Sequence, residues 1–337
     1  MPKKYKVVDA QFHHLPLDTA RKAVASGVDD LLKGRVEHPN LTWQRTFDLD
    51  GAVRHMDECG VDAAIVQHPV WIASGLPFCR SINDNLAAAV KKYPGRLLPC
   101  AHVPYLEGQP AIDELDRAVN VLGFRSVVML TSMKDVTLDD PRLKPLFKKV
   151  VRLGIPVVVH PTTKMPLWGG VKYNMSGSVS REYEIAKSFV EVMTGVLPEF
   201  PELNFVFAHY GGGVPFLLGR IMSWHDPEKA PDKQKVVGEP PRTMNEFEES
   251  QYKDNFDALL DRVYFDLAGT GGWTPALHEA LMVIKPERLC FATDYPHELA
   301  RPADLKPYIK AVKALELPEK AIAGILGENM LKLLGVK

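Results

Sequence analysis

The chain has 337 residues, 46% hydrophobic and 25% charged, with 41 Lys and Arg against 42 Asp and Glu for a net charge of −1. Those proportions suit a globular protein with a sizeable core, and the balanced charge excludes an obligate binder of nucleic acid or anionic membrane, which needs a positive excess to neutralise phosphates. No stretch approaches the ~18 uninterrupted apolar residues of a membrane span, the N-terminal MPKKYKVVDA lacks an apolar signal core, and Cys59, Cys79, Cys100 and Cys290 form no C-x-x-C pair. The expectation is a cytoplasmic protein whose partners are small molecules or further copies of itself in a homo-oligomer.

Val7 and Val8 open a strand that ends in Asp9-Ala10-Gln11-Phe12-His13. Side chains alternate along a strand, so Asp9, Gln11 and His13 share one face and project as a polar set from its end. Residues 14–47 carry Pro16, Gly27, Gly34 and Pro39 without a clear period and read as a long insertion, a lid or rim over the first strand. Periodicity then returns. Leu49–Gly60 is expected to be helix and Ala63–Val66 strand, followed by Gln67 and His68; Phe78–Tyr93 is helix and Leu97–Cys100 strand, followed by His102. Ile112–Leu122 is helix, Ser126–Leu130 strand, Leu143–Leu153 helix, and the β-branched run Pro156–His160 a strand closed by histidine.

A second insertion, 161–178, holds Trp168 and Tyr173 and precedes a helix from Arg181 to Thr194. Asn204–Ala208 is a strand closed by His209, and Gly211–Gly213 turn the backbone into a helix bearing Phe216, Leu217 and Arg220. A third insertion, 226–255, is rich in Pro, Lys and Glu. Val263–Asp266 is strand, Pro275–Ile284 helix, and Leu289–Thr293 strand closed by Asp294, with two further helices from Leu305 onward. Eight strands alternating with helices argue for a single (β/α)8 TIM barrel spanning 1–337 with loop insertions and extra C-terminal helices.

In such a barrel the active groups sit at the carboxyl ends of the strands. A single histidine is more often structural than a ligand. Here the ends of strands one, five, six and eight agree, carrying Gln11 and His13, His160, His209, and Asp294. His68 and His102 follow strands two and three, where substrate contact and plain packing weigh equally. Trp43, Trp71, Trp168 and Tyr295 could wall an aromatic pocket or pin loops to the rim. His38, His55, His225 and His278 lie in helices or the first insertion and read as structural or solvated.

Taken in order, Asp9-Ala10-Gln11-Phe12-His13, His160, His209-Tyr210-Gly211-Gly212, Thr293-Asp294-Tyr295-Pro296 and Gly327-Glu328-Asn329 resemble the amidohydrolase superfamily. The pattern is similar to the branch typified by aminocarboxymuconate semialdehyde decarboxylase and γ-resorcylate decarboxylase, and the resemblance covers essentially the whole chain. It implies that His13, His160 and Asp294 ligate one divalent metal and that His209 is the catalytic histidine. Gln11 departs from the family pattern, which has His or Glu there. Its amide oxygen is available to the metal, or it hydrogen-bonds the substrate instead. Neutral imidazoles with a carboxylate suit Zn²⁺ or Mn²⁺ with an open position. The carboxylated lysine of binuclear members has no counterpart at the end of strand four, Met129-Leu130-Thr131, which favours one metal.

The reaction expected from this resemblance is non-oxidative decarboxylation of an aromatic or unsaturated carboxylic acid, with Asp294 and His209 relaying the proton and the metal stabilising developing negative charge. The same residues could activate a water in a hydrolase acting on a lactone, amide or C–C bond, or serve a hydratase. From another class, loss of the first ligand allows a ligand-binding pseudoenzyme, against which stands the retention of His13, His160, His209 and Asp294.

Overall fold

The computed structural model describes residues 5–27, 30–162, 170, 172–225 and 256–336. The third insertion, 226–255, and Trp168 lie outside them.

Short runs rich in Val, Ile, Leu and Phe, almost entirely buried, form eight strands: β1 (Val8–His13), β2 (Ala63–Gln67), β3 (Leu97–Ala101), β4 (Ser126–Leu130), β5 (Val157–His160), β6 (Phe205–Phe207), β7 (Val263–Asp266) and β8 (Leu289–Cys290). They pair in sequence order within one sheet, and every pair between neighbours is parallel. The sheet closes on itself where Ala10 N donates to Phe291 O at 2.8 Å and His13 N to Tyr295 O at 2.7 Å. This is the expected TIM barrel. Both faces of a parallel sheet are covered, one by the barrel's interior side chains and the other by helices, which explains the near-absence of polar alternation in these runs.

The outer layer contains α4 (Leu49–Cys59), α5 (Leu76–Lys92), α6 (Gln109–Asn120), α7 (Lys144–Leu153), α8 (Arg181–Glu191), α9 (His209–His225), α10 (Phe256–Leu260), α11 (Thr274–Val283) and α12 (Pro302–Lys313), with α13 (Glu319–Ala323) and α14 (Asn329–Leu333) closing the described chain. A two-stranded excursion, Ser132–Met133 with Val136–Thr137, follows β4. Helix ends fall within a few residues of the sequence expectation.

Two expectations need correction. The stretch 14–47 is largely helical, folded as α1 (Leu17–Ala25), α2 (Asp30–Glu37) and α3 (Leu41–Phe47). Pro16 caps α1 and Pro39 separates α2 from α3, so the punctuation that reads as loop marks the boundaries of helices too short to show a period. The second correction concerns β8, whose ladder is only two residues long. Beyond it the backbone N–H of Thr293 is taken by the Asp9 carboxylate at 3.0 Å and Asp294 adopts φ 53°, which ends regular pairing where the site begins.

One close approach matters for function. After β6 the backbone is left-handed from His209 to Gly213, and α8 lies directly over this turn. A methyl group on Gly212 would run into the Glu182 carbonyl oxygen and approach Ala186 N to 2.9 Å. Gly213 has φ +84° but open space around it. Gly213→Ala should therefore cost only the strain of a left-handed alanine, roughly 1–2 kcal/mol, and Gly212→Ala several-fold more because α8 must also move. Urea denaturation of the two variants checks this; equal losses would mean that α8 does not bear on the turn.

Candidate active site

Gln11 and His13 lie two residues apart on β1, so both project to the barrel interior. Asp294, beyond β8, meets them: His13 Nε2 is 2.8 Å from Asp294 Oδ1, and Gln11 Nε2 donates to the same oxygen at 3.2 Å. His160, closing β5, has its ring centroid 5.1 Å from that of His13. His209 Nε2 stands 3.2 Å from Gln11 Nε2 and 3.8 Å from Asp294 Oδ2. The expected residues from β1, β5, β6 and β8 thus converge. His209 and Asp294 share positive φ angles of 54° and 53°, backbone strain held in place by the surrounding packing.

Each imidazole is oriented by an acceptor behind it. His13 Nδ1 lies 3.0 Å from Gln67 O and His160 Nδ1 2.8 Å from Pro161 O; a carbonyl can only accept, so both Nδ1 atoms donate. The lone pair of His160 Nε2 is thereby freed. Loss of hydration, and then His13, hold the His160 imidazole well below its ordinary range against the pull of Asp294, so it is neutral. His209 differs. Its Nδ1 is 2.9 Å from Glu182 Oε1 on the first turn of α8, and its backbone N donates to Asp266 Oδ1 at 2.9 Å. Burial works to lower it, but the Glu182 hydrogen bond and charge, with Asp294 and Asp266, raise it to about 9. Asp294 is held well below the carboxylate range: burial pushes it up, and the hydrogen bond and charge of His13 with His297 and His209 outweigh that. In the ion-free site the surroundings thus push the ring toward its charged form and the carboxyl toward its carboxylate.

His297, three residues past Asp294, adds another ring 5.2 Å from His13. It reaches solvent yet is surrounded closely enough that lost hydration is the first cause pushing it down to about 4, with His13, Arg181 and Arg35 adding to that against Asp294. Trp43 stands 5.8 Å from His68 and 6.5 Å from His297, with the Arg35 guanidinium 4.6 Å over its ring. On the far side of His209, Glu182 borders a cavity of about 220 Å³ lined also by Tyr210, Phe216, Thr270 and Glu279.

The donor set suits a divalent ion. His13 Nδ1 already donates, so its Nε2 can sit against the Asp294 carboxylate only by carrying a second proton or by sharing a cation with it. Gln11 Oε1 is buried with no partner. Among the described residues no group of three His, Cys, Asp or Glu side chains stands at closed coordination spacing. His13 and Asp294, now in direct contact, would part to admit the ion.

Not every expected residue joins the site. His102 is consumed by structure: Nδ1 lies 3.0 Å from Cys100 O and Nε2 accepts from His68 N at 3.0 Å. Tyr295, which could wall a pocket or pin a loop, is sandwiched between Phe12 at 4.5 Å and His55 at 4.7 Å. His68 is buried with its ring 5.5 Å from that of His13, whereas Trp71 is buried with its ring 6.2 Å from that of Phe78. Glu182, Asp266 and His297 escaped the sequence reading. Asp266 closes β7 and His297 continues the Thr-Asp-Tyr-Pro segment, so the strand-end rule reaches both; Glu182 lies 27 residues before His209 on a helix and carries no such signal.

The amidohydrolase family model matches residues 72–336. The chain belongs to that family. It is 27% identical over 300 residues to a 2-amino-3-carboxymuconate-6-semialdehyde decarboxylase of Dictyostelium discoideum, covering 86% of this chain and 77% of that protein. It is 26% identical over 274 residues to a γ-resorcylate decarboxylase of Rhizobium sp. (strain MTP-10005), covering 75% and 79%. A solved dihydroxybenzoic acid decarboxylase from Polaromonas sp. JS666, with bound manganese and the inhibitor 2-nitroresorcinol, superposes with a TM-score of 0.74 at 22% identity over 98% of this chain and 97% of that one. The resemblance read from the motifs is thereby borne out for the family and the fold.

In metal-free protein, the His209 ring should titrate near 9 by NMR, and Glu182→Gln should bring it toward or below its ordinary 6.5. Because the folded value exceeds the unfolded one, the interaction stabilises the fold fully below pH 6.5 and is lost as pH rises through about 9. An unchanged titration in the variant would mean that Glu182 has no hold on the ring.

Proposed function

We propose that this protein is a metal-dependent, non-oxidative decarboxylase of an aromatic or unsaturated carboxylic acid. The observation that carries the reading is the placement of His209, held at Nδ1 by Glu182 with Nε2 turned toward Asp294 beside His13 and His160. The relatives named above are decarboxylases, which supports the same reading.

His13, His160 and Asp294 would hold one divalent ion, with manganese favoured over zinc by the manganese in the dihydroxybenzoic acid decarboxylase. The ion would supply positive charge that orients the substrate carboxylate and stabilises negative charge building on the organic fragment. The Glu182 carboxylate at Nδ1 favours a doubly protonated His209 ring, so its Nε2–H would be the acid that protonates the carbon as CO₂ departs. Glu182 keeps that imidazolium charged and aimed. Asp294 remains a carboxylate throughout, so the relay expected from sequence narrows to His209 as donor and Asp294 as the anion facing it. Arg181, whose Nε is buried without a partner, and Arg35 add positive charge near His297 and favour entry of an anion.

Screening aromatic acids for CO₂ release against lactones and esters for acid release tests the reading. Decarboxylation should dominate, and Asp294→Asn should lower kcat by orders of magnitude while the fold persists. Near-normal turnover in that variant, or acid release alone in the wild type, would refute it.

Gln11 gives a separate test. A neutral amide is a weak ligand, so Gln11→Glu adds a negative donor and should raise Mn²⁺ affinity about tenfold or more. Titration of Mn²⁺ into chelated wild-type and variant protein decides the point: equal affinities put Gln11 outside the coordination sphere.

A further inference from the structure

His13 and His160 are backed in the same way, and in both the arrangement continues one step past the carbonyl behind the ring. Gln67 O, which accepts from His13 Nδ1 at 3.0 Å, belongs to the same peptide group as His68 N, and that N–H donates to His102 Nε2 at 3.0 Å. Pro161 O, which accepts from His160 Nδ1 at 2.8 Å, shares its peptide with Thr162 N, which donates to Thr131 Oγ1 at 3.0 Å. Each ring thus leans on one peptide, whose far end is held by the residue directly after a neighbouring strand, His102 after β3 and Thr131 after β4. On the side of these holders both peptides lie past the last ladder pair, Val66 with Pro99 and Leu130 with His160. A side chain takes over where backbone pairing stops.

The holders are themselves fixed. His102 Nδ1 lies 3.0 Å from Cys100 O and must donate to it, so Nε2 is left as the acceptor that His68 N needs. The Asn83 amide takes both the backbone N–H and the carbonyl of His102, each at 2.9 Å, and donates again to Glu114 Oε1 at 2.8 Å. Glu114, wholly buried, is paired with Arg80 and Arg117. Thr131 is buried, and its own N donates to His160 O at 2.9 Å.

We propose that His102 and Thr131 are positioning residues for the metal site, each acting on a ligand imidazole through a single peptide group. This rests on the reading of His13 and His160 as ligands. Two effects run along each chain of bonds. Holding the peptide N–H fixes the plane of the carbonyl, and with it the ring that donates to that carbonyl, so the Nε2 lone pair keeps one direction. A peptide whose N–H is engaged is also polarised into a better acceptor, which makes the ring behind it a stronger ligand. Neither residue touches the ion or the substrate.

Thr131→Val keeps the volume and removes the acceptor, and Thr131→Ser restores the hydroxyl at the loss of a buried methyl. Mn²⁺ affinity of the full chain, read from free Mn²⁺ by electron paramagnetic resonance, should fall about tenfold in Thr131→Val and stay within about threefold of wild type in Thr131→Ser. Both variants should lower Tm, so a purely structural threonine would make affinity follow Tm rather than the hydroxyl. His102→Leu should also weaken Mn²⁺ about tenfold, and His102→Gln, whose amide can place an acceptor where Nε2 stands, should return most of it. Each pair decides the point if a member of the other does not fold. Wild-type affinity in Thr131→Val and His102→Leu, or equal weakening in Thr131→Ser and His102→Gln, overturns the proposal and leaves the metal reading intact. Wild-type protein that takes up no Mn²⁺ overturns both.

Discussion

The site depends on how the first and last strands are joined. Asp9, buried at the seam, accepts from Gln11 N at 3.1 Å, from Thr293 N at 3.0 Å and from the Thr293 hydroxyl. Burial raises its carboxyl to about 7 in spite of those three donors, so this is a costly group kept where only its geometry is useful. It replaces ladder pairing where β8 stops. Through it, the residue just past Thr293 is brought against the side chains of Gln11 and His13. Together with the backbone bonds from Ala10 N to Phe291 O and from His13 N to Tyr295 O, that stitch fixes Asp294 against β1.

Around this seam the barrel sorts its ionisable groups by what backs each of them. Backbone carbonyls stand behind His13 and His160, orienting the rings without adding charge, and His160 is neutral and suited to ligation. A carboxylate stands behind His209, and that ring carries a proton. One residue type thus serves two purposes within a few ångströms, through differences in the partner on the far nitrogen. In a site of low effective dielectric such differences are worth far more than they would be in water.

The supports reach well outside the barrel mouth. Helix α8 approaches the left-handed turn so closely that Gly212 has no room for a side chain, and the same approach delivers Glu182 to His209. On the opposite side, Glu114 and Asn83 tie the backbone of His102 and His68 to the arginines of α5 and α6. His102, ambiguous in sequence, becomes part of the frame. Tyr295 likewise packs between Phe12 and His55, stiffening the loop that bears Asp294 and His297.

The sequence by itself determined the barrel and most of the strand-end chemistry. Apolar β-branched runs at regular intervals admit few folds, and a polar residue directly after such a run has one face of the barrel to occupy, which made His13, His160, His209 and Asp294 legible. The three short helices of 17–47 were hidden because elements of seven to nine residues show too few turns to reveal a period. Only the tertiary structure decided what each polar group faces. Glu182 reaches His209 from another element, Asp9 reaches across the seam to Thr293, and His102 turns inward to accept from His68 N while the His68 ring nitrogens have no partner among the described residues. Local pattern encodes which side of a strand a residue takes, but partners far apart in the chain are set by packing of whole elements, and those partners fix charge, tautomer and role.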